Sequence, residues 1–305
     1  MDDTTSPRPA AADVYRDFFA EADRVIEQFH RWIDRDLPND GTWWGMVQVA
    51  ILVRAFNQYR SIVNLLRQNH WEDALILVRS LFELLLNTEE LCRQGNNVED
   101  AAESFVAFAH LQRYLRWRDT QAYHIATGRA GAEVERQIGE MDRMARKFFA
   151  PFWIEKKGKG RWRGSWSKKT VADLCRLSAN PLRPYHYHLL YGRGSDFTHS
   201  APVAVFAAMR LRSEPEELAD TIRAVDTQEE RELREVGSMA TVSFFEIAIL
   251  IGSRVPEFDP SWFTNVGIPC AIRMLGVPDS VAASMRTSFI EWLQQDKQRD
   301  SPESS

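Results

Sequence analysis

The chain has 305 residues, with 38 Lys and Arg against 43 Asp and Glu and a formal net charge of -5. With 44% hydrophobic and 27% charged residues it has the make-up of a globular protein, which excludes a disordered chain, a collagen-like repeat and a low-complexity scaffold. Its three cysteines, Cys92, Cys175 and Cys270, match no zinc spacing, so a reducing cytoplasmic setting is expected.

Residues 1–12 are polar and proline-containing, read as a disordered tail without the pattern of a targeting leader. Phe18, Ala22, Val25, Phe29 and Trp32 recur at three- and four-residue steps and predict a helix over about 13–35. Further helices are predicted over about 42–68, 71–93, 99–127 and 133–149, with Gly95, Gly128 and Pro151 as stops. Residues 153–169 are rich in Gly, Lys, Arg and Trp and read as a loop. Helices resume at about 170–179 and 185–209, the latter weakened by Gly192 and Gly194. Four more are expected over 214–224, 227–254, 261–275 and 279–298, before a frayed 299–305. The sum is an all-α, antiparallel multi-helix bundle. One domain spans 13–298, and 153–169 is a basic insertion within it. The most apolar runs, after Trp44 and from Ser243, fall short of the ~20 residues that cross a bilayer and read as core helices, so no membrane is expected.

Residues 74–86, ALILVRSLFELLL, are apolar almost all round, which places this helix at the centre of the bundle. Arg79, Ser80 and Glu83 interrupt it. Arg79 and Glu83 share a face, in the poorer order for an isolated helix pair, so each needs a partner or a wet cleft. A structural ion pair and a polar site inside the bundle are both open readings. Far downstream, 185–202 read YHYHLLYGRGSDFTHSAP. Ser195 and His199 are four apart, and Asp196 lies three before His199, where it could orient the imidazole. Arg193 lies six before His199, and the two would meet only if Gly192 and Gly194 break the helix or a second subunit supplies one of them. A histidine suits proton transfer near neutrality and an arginine suits phosphate. A hydrogen-bonded interior His199, with His186 and His188 at the surface, is the plainer alternative. Arg79, Glu83, Ser195, Asp196 and His199 are expected to cluster.

The 153–169 stretch carries Lys156, Lys157, Lys159, Arg161, Arg163, Lys168 and Lys169 against the single acid Glu155. Trp153, Trp162 and Trp166 are interleaved. Such a surface could meet RNA or another anionic partner, with indoles on bases and cations on phosphates. The alternative is a solvated loop whose tryptophans dock on the bundle. No phosphate-cradling glycine loop, zinc-protease motif or nucleophile elbow is present. One Glu-x-x-His, Glu27 to His30, lacks the second pair that a di-metal bundle needs. Glu246 is the best candidate for a buried carboxylate, read as an interhelical hydrogen bond, and Arg231 with Glu235 as a solvated face. No metal and no cofactor are expected.

The RSLFE stretch (Arg79, Ser80, Leu81, Phe82, Glu83), a Trp166-containing stretch and YHLLYGRGSDFTHS from Tyr187 to Ser200 together resemble a bacterial family, domain-of-unknown-function family 5677, over roughly residues 45–210. The resemblance implies that Arg79, Glu83, Tyr191, Ser195 and His199 match the family pattern. Gly192 stands where the pattern has Arg, with Arg193 one later, and Ser200 stands where Pro is common. A more distant likeness is to HEPN-type helical ribonucleases, which have four to six residues between an Arg and a His and usually act as dimers. It implies metal-independent RNA cleavage in toxin–antitoxin or antiviral defence, with His199 as acid/base and Arg193 or Arg79 as phosphate contact. The expectation for function is a binding or interaction module with a polar Arg/Glu/His cluster. The ribonuclease, as a possible homodimer, is the alternative.

Overall fold

The computed structural model describes residues 16–36, 41–156, 158–192 and 218–252. Five helices open the chain: α1 (Arg16–Asp36), α2 (Trp43–Arg67), α3 (Trp71–Arg93), α4 (Val98–Ala126) and α5 (Ala132–Phe148). Each starts and stops close to its predicted position. The start of α2 shows the local cause. Thr42 Oγ1 accepts from the Gly45 amide at 2.9 Å, and the Glu99 carboxylate accepts from the amides of Trp43 and Trp44 at 2.6 and 2.9 Å. These acceptors satisfy amides that have no partner inside the helix and set negative charge at its positive end. At the other end Asn69 takes a left-handed conformation, φ 61°, and the amide of His70 returns to the Leu65 carbonyl. The chain reverses within three residues, so α3 packs antiparallel on α2.

The predominantly helical fold follows the sequence reading, and α3 is central as its composition requires. It packs against α2 and against α8 (Leu218–Gly252), and α2 also packs on α8. Val78, Leu81, Phe82, Leu85 and Leu86 of α3 are buried. Phe244 of α8 is sealed between Phe29 of α1, edge-on at 4.7 Å, and Tyr59 of α2, stacked at 4.8 Å. The Tyr59 hydroxyl and Thr241 Oγ1 share a hydrogen bond of 3.2 Å, which removes the penalty of burying two hydroxyls. Cys92 Sγ reaches the Leu250 carbonyl, and Glu89 and Glu246 share a partner three to four residues earlier on each helix, so α8 runs alongside α3 in the same direction.

Two sequence readings are corrected here. Helices expected at 214–224 and 227–254 are one helix through Leu218–Gly252, because the expected break near 225–226 holds neither glycine nor proline. Its part from Arg231 to Gly252 is long and apolar enough to cross a membrane by length and composition, yet 78% of its most apolar 18-residue window is buried inside the protein, the environment of a core helix. The stretch read as a loop contains an antiparallel hairpin, β1 (Trp153–Lys156) and β2 (Lys159–Trp162), with Trp153 opposite Trp162. Those indoles meet edge-on at 4.8 Å and clamp its open end. Gly158, φ 72°, supplies the left-handed residue of the two-residue connection. Gly160 lies under the Trp153 ring, and a Cβ there would fall 1.9 Å from a ring carbon. Gly160→Val is therefore expected to expel Trp153 and open the hairpin, visible as a red shift in tryptophan emission with the helical circular dichroism retained. An unchanged emission spectrum would contradict this packing.

The remaining described elements are short: α6 (Val171–Leu177), α7 (Arg183–His186) and a six-residue π-helical turn, Tyr187–Gly192. A reciprocal capping box of Thr170 and Asp173 starts α6. Both α6 and the π turn pack on α3, which brings the distant segment 170–192 onto the central helix.

Candidate functional site

On α3 the residues Arg79, Glu83, Asn87 and Glu90 follow at steps of four, four and three, and so form one polar stripe along an otherwise oily rod. Arg79, Asn87 and Glu90 are each met by a different downstream group, Tyr191, Trp166 and Lys169. Glu90, 2% exposed in its side chain, is paired with Arg93 and with Lys169 Nζ at 2.5 Å. Asn87 accepts from the Trp166 indole at 2.7 Å and donates to the Glu83 carbonyl at 2.7 Å. Trp166 is 9% exposed and meets Phe105 edge-on at 5.5 Å. Two of the nine residues read as an anion-binding surface, Trp166 and Lys169, thus dock on α3. Trp162 packs on Trp153, and Lys159, Arg161 and Lys168 are exposed, while Arg163 is half-buried. Lys157 and the Lys156 side chain lie outside the described residues.

At the N-terminal end of the stripe, Arg79 is fixed from two sides. Its Nε donates to Glu83 Oε1 at 3.3 Å. Its guanidinium carbon lies 4.2 Å from the centre of the Tyr191 ring, within the range of a cation–π contact. Tyr191 is itself stacked on Tyr187 at 4.9 Å and 14°. The Arg79 side chain is 16% exposed and Glu83 39% exposed. Among the described residues neither Nη nitrogen of Arg79 makes a hydrogen bond, so the planar fork remains open at a partly covered position. Two of the expected cluster, Arg79 and Glu83, therefore meet, and Tyr191 from the 185–202 segment joins them. Arg193, Ser195, Asp196 and His199 lie outside the described residues.

A second polar group had no clear signal in the sequence. Arg183 of α7, 2% exposed in its side chain, donates through Nη2 to Glu89 Oε1 at 2.5 Å and to Glu246 Oε2 at 2.7 Å. Ser178 Oγ donates to Glu89 at 3.0 Å, and Asn180 Nδ2 donates to Glu246 at 3.0 Å. Glu246 is thus the buried carboxylate the sequence suggested, and Glu89 and Arg183 are additions. Glu89 Oε2 is buried and has no hydrogen-bond partner among the described residues. Burial pushes the Glu89 carboxyl above its ordinary value, with Arg183 pulling it back and Glu246 pushing it further up. Burial would lower the Arg183 value, but Glu246 and Glu89 together hold it above the usual range. His186 is correspondingly not a plain surface residue: its Nδ1 lies 3.3 Å from Arg183 Nη1, and burial followed by the Arg183 charge pushes the ring below its usual value. Cys175 is buried, its thiol pushed up to about 11 by the same loss of solvent.

The Glu89 shift has a defined sign. The folded chain binds the proton more tightly than the unfolded one, so this group contributes stability that is full below 4.5 and is lost as pH rises through the folded value. Glu89→Gln removes that term. Urea midpoints measured upward from pH 4.5 should decline less steeply for the variant than for the parent, and parallel curves would contradict the assignment.

The model of the Family of unknown function DUF5677 matches residues 46–240, more than half of the chain. The chain belongs to this family. No curated protein matches the chain, and neither does any solved structure. The DUF5677 match takes in α2, α3, α4, α5, the hairpin and the π turn, and so includes Arg79, Glu83 and Tyr191 in one contiguous match. The likeness to HEPN-type ribonucleases gains no support from these comparisons. Within the DUF5677 region, Arg79 combines a position fixed by Glu83 and Tyr191 with a fork that is open among the described residues.

Proposed function

We propose that the protein is an anion-binding module in which Arg79 takes a carboxylate or phosphate group of its ligand. One observation carries this reading: the guanidinium is anchored by Glu83 through Nε and by the Tyr191 ring on its face, while both Nη groups stay unengaged among the described residues. A fork held in this way loses little side-chain freedom on binding, and its two parallel N–H groups match a bidentate oxyanion. Glu83 serves as the positioning acid, and its half-exposed carboxylate also limits how many negative charges the site accepts. Exposed Lys159, Arg161 and Lys168 on and after the hairpin supply longer-range attraction to an anionic partner. The ribonuclease reading rests on His199, which lies outside the described residues, whereas the binding reading rests on the contacts of Arg79 with Glu83 and Tyr191 and is the one kept.

Titration calorimetry of the full chain with inorganic phosphate and with acetate tests this. Phosphate or acetate should bind the parent, and Arg79→Lys should weaken binding by about tenfold or more, because a point charge replaces the fork at an otherwise similar site. Equal binding by parent and Arg79→Lys, or none by the parent, would refute it. Cleavage of an RNA oligonucleotide in chelator, lost in His199→Ala, would instead favour the nuclease.

A further inference from the structure

The helix α5 packs on α4, with Ala145 buried, Val134 and Ile138 half-buried, and Asp142 accepting a hydrogen bond from Tyr114. The flank adjoining that face carries Met141, Met144 and Phe148, which are 37%, 50% and 73% exposed. Steps of three and four place these three on one stripe. Met141 lies four before Ala145 and Phe148 three after it, so the apolar arc of this helix continues past the part that α4 covers and stays exposed. Glu140 and Lys147 flank the stripe along one edge, are exposed, and form no ion pair among the described residues, whereas Glu133 on the same helix is paired with Arg136 at 2.8 Å.

We propose that this stripe is a self-association surface whose occupant is a second copy of the chain, packed α5 against α5, antiparallel, with the two-fold axis at Met144. The charge pattern selects this occupant and this orientation. With Met144 facing its own copy, Met141 of one chain falls against Phe148 of the partner subunit. In the same register Glu140 of one chain faces Lys147 of the partner subunit, twice by symmetry. A parallel pairing would set each charge against the apolar edge of the other copy. The apolar and ionic matches thus coincide in one alignment. The helix has 17 residues and is therefore about 25 Å long, a small contact for a dimer, so a concentration-dependent equilibrium rather than a permanent pair is expected.

Sedimentation velocity of the full chain over a concentration series reads this directly. The parent should shift from monomer to dimer as concentration rises. Met144→Glu sets two like charges at the axis and should raise the dissociation constant on the order of 100-fold or more. Glu140→Lys and Lys147→Glu should each weaken the dimer, and the double variant Glu140→Lys/Lys147→Glu should restore it, which a merely misfolded variant would not do. All substituted positions are exposed, and circular dichroism checks that the helices persist. A parent that stays monomeric, or a dimer indifferent to Met144→Glu, overturns the proposal. Charge swaps without effect, or a double variant no better than the singles, overturn the antiparallel register.

Discussion

Replacing Arg183 by leucine is expected to destabilise the protein by about 3–5 kcal/mol, the usual consequence of removing one partner from a buried ion group. The guanidinium sits between Glu89 and Glu246 with almost no solvent contact, and it is the cation that both carboxylates share. Leucine leaves both acids facing each other across a dry site, with Ser178 and Asn180 as their remaining donors. The substitution also unties three parts of the chain, since Glu89 lies on α3, Arg183 on α7 and Glu246 on α8. Urea unfolding should show a lower midpoint at an unchanged slope. Replacing all three residues by apolar side chains should recover much of the loss, because the penalty lies in the orphaned charges. A single variant as stable as the parent would show that the group adds nothing to the fold.

Phe244→Ala is expected to cost about 3–5 kcal/mol by a different route, the cavity left where a large ring is removed from a tightly packed place. Phe244 is fully buried and touches Phe29, Tyr59 and Phe245, which belong to three different helices. None of these rings can close the gap alone. Phe244→Leu should cost clearly less than Phe244→Ala, because it keeps most of the volume. Thermal unfolding of the pair gives the comparison, and equal losses would mean that packing at this position is not what holds α8 in place.

The helices were legible because the period of the apolar residues survives in the sequence: α3 runs over Trp71–Arg93, where the pattern ran to the stop before Gly95. The hairpin was not legible. Its strands are four residues long, its lysines and arginines mask any alternation, and what stabilises it is an indole pair and a ring lying over Gly160. Of the expected polar cluster, Arg79, Glu83 and Tyr191 fall among the described residues. Arg79 and Glu83 stand out because charge in an oily helix must be compensated, and Tyr191 was already part of the downstream motif. Which face of α3 those groups share with Asn87 and Glu90, and that Trp166 and Lys169 fold back onto it, depends on tertiary contacts across some 79 residues of sequence. Arg183 was invisible for the same reason: in the sequence it is one basic residue before a proline, and its meaning comes from two acids 94 and 63 residues away.

The open Arg79 fork is best tested by following its own guanidinium nitrogens. Side-chain 15N resonances of Arg79, assigned by loss in Arg79→Lys, should move on addition of inorganic phosphate and stop moving at saturation, with Nη responding more than the Glu83-bound Nε. Arg79 resonances that stay fixed while phosphate is added, or that report an Nη group already locked in an internal hydrogen bond, would contradict the account.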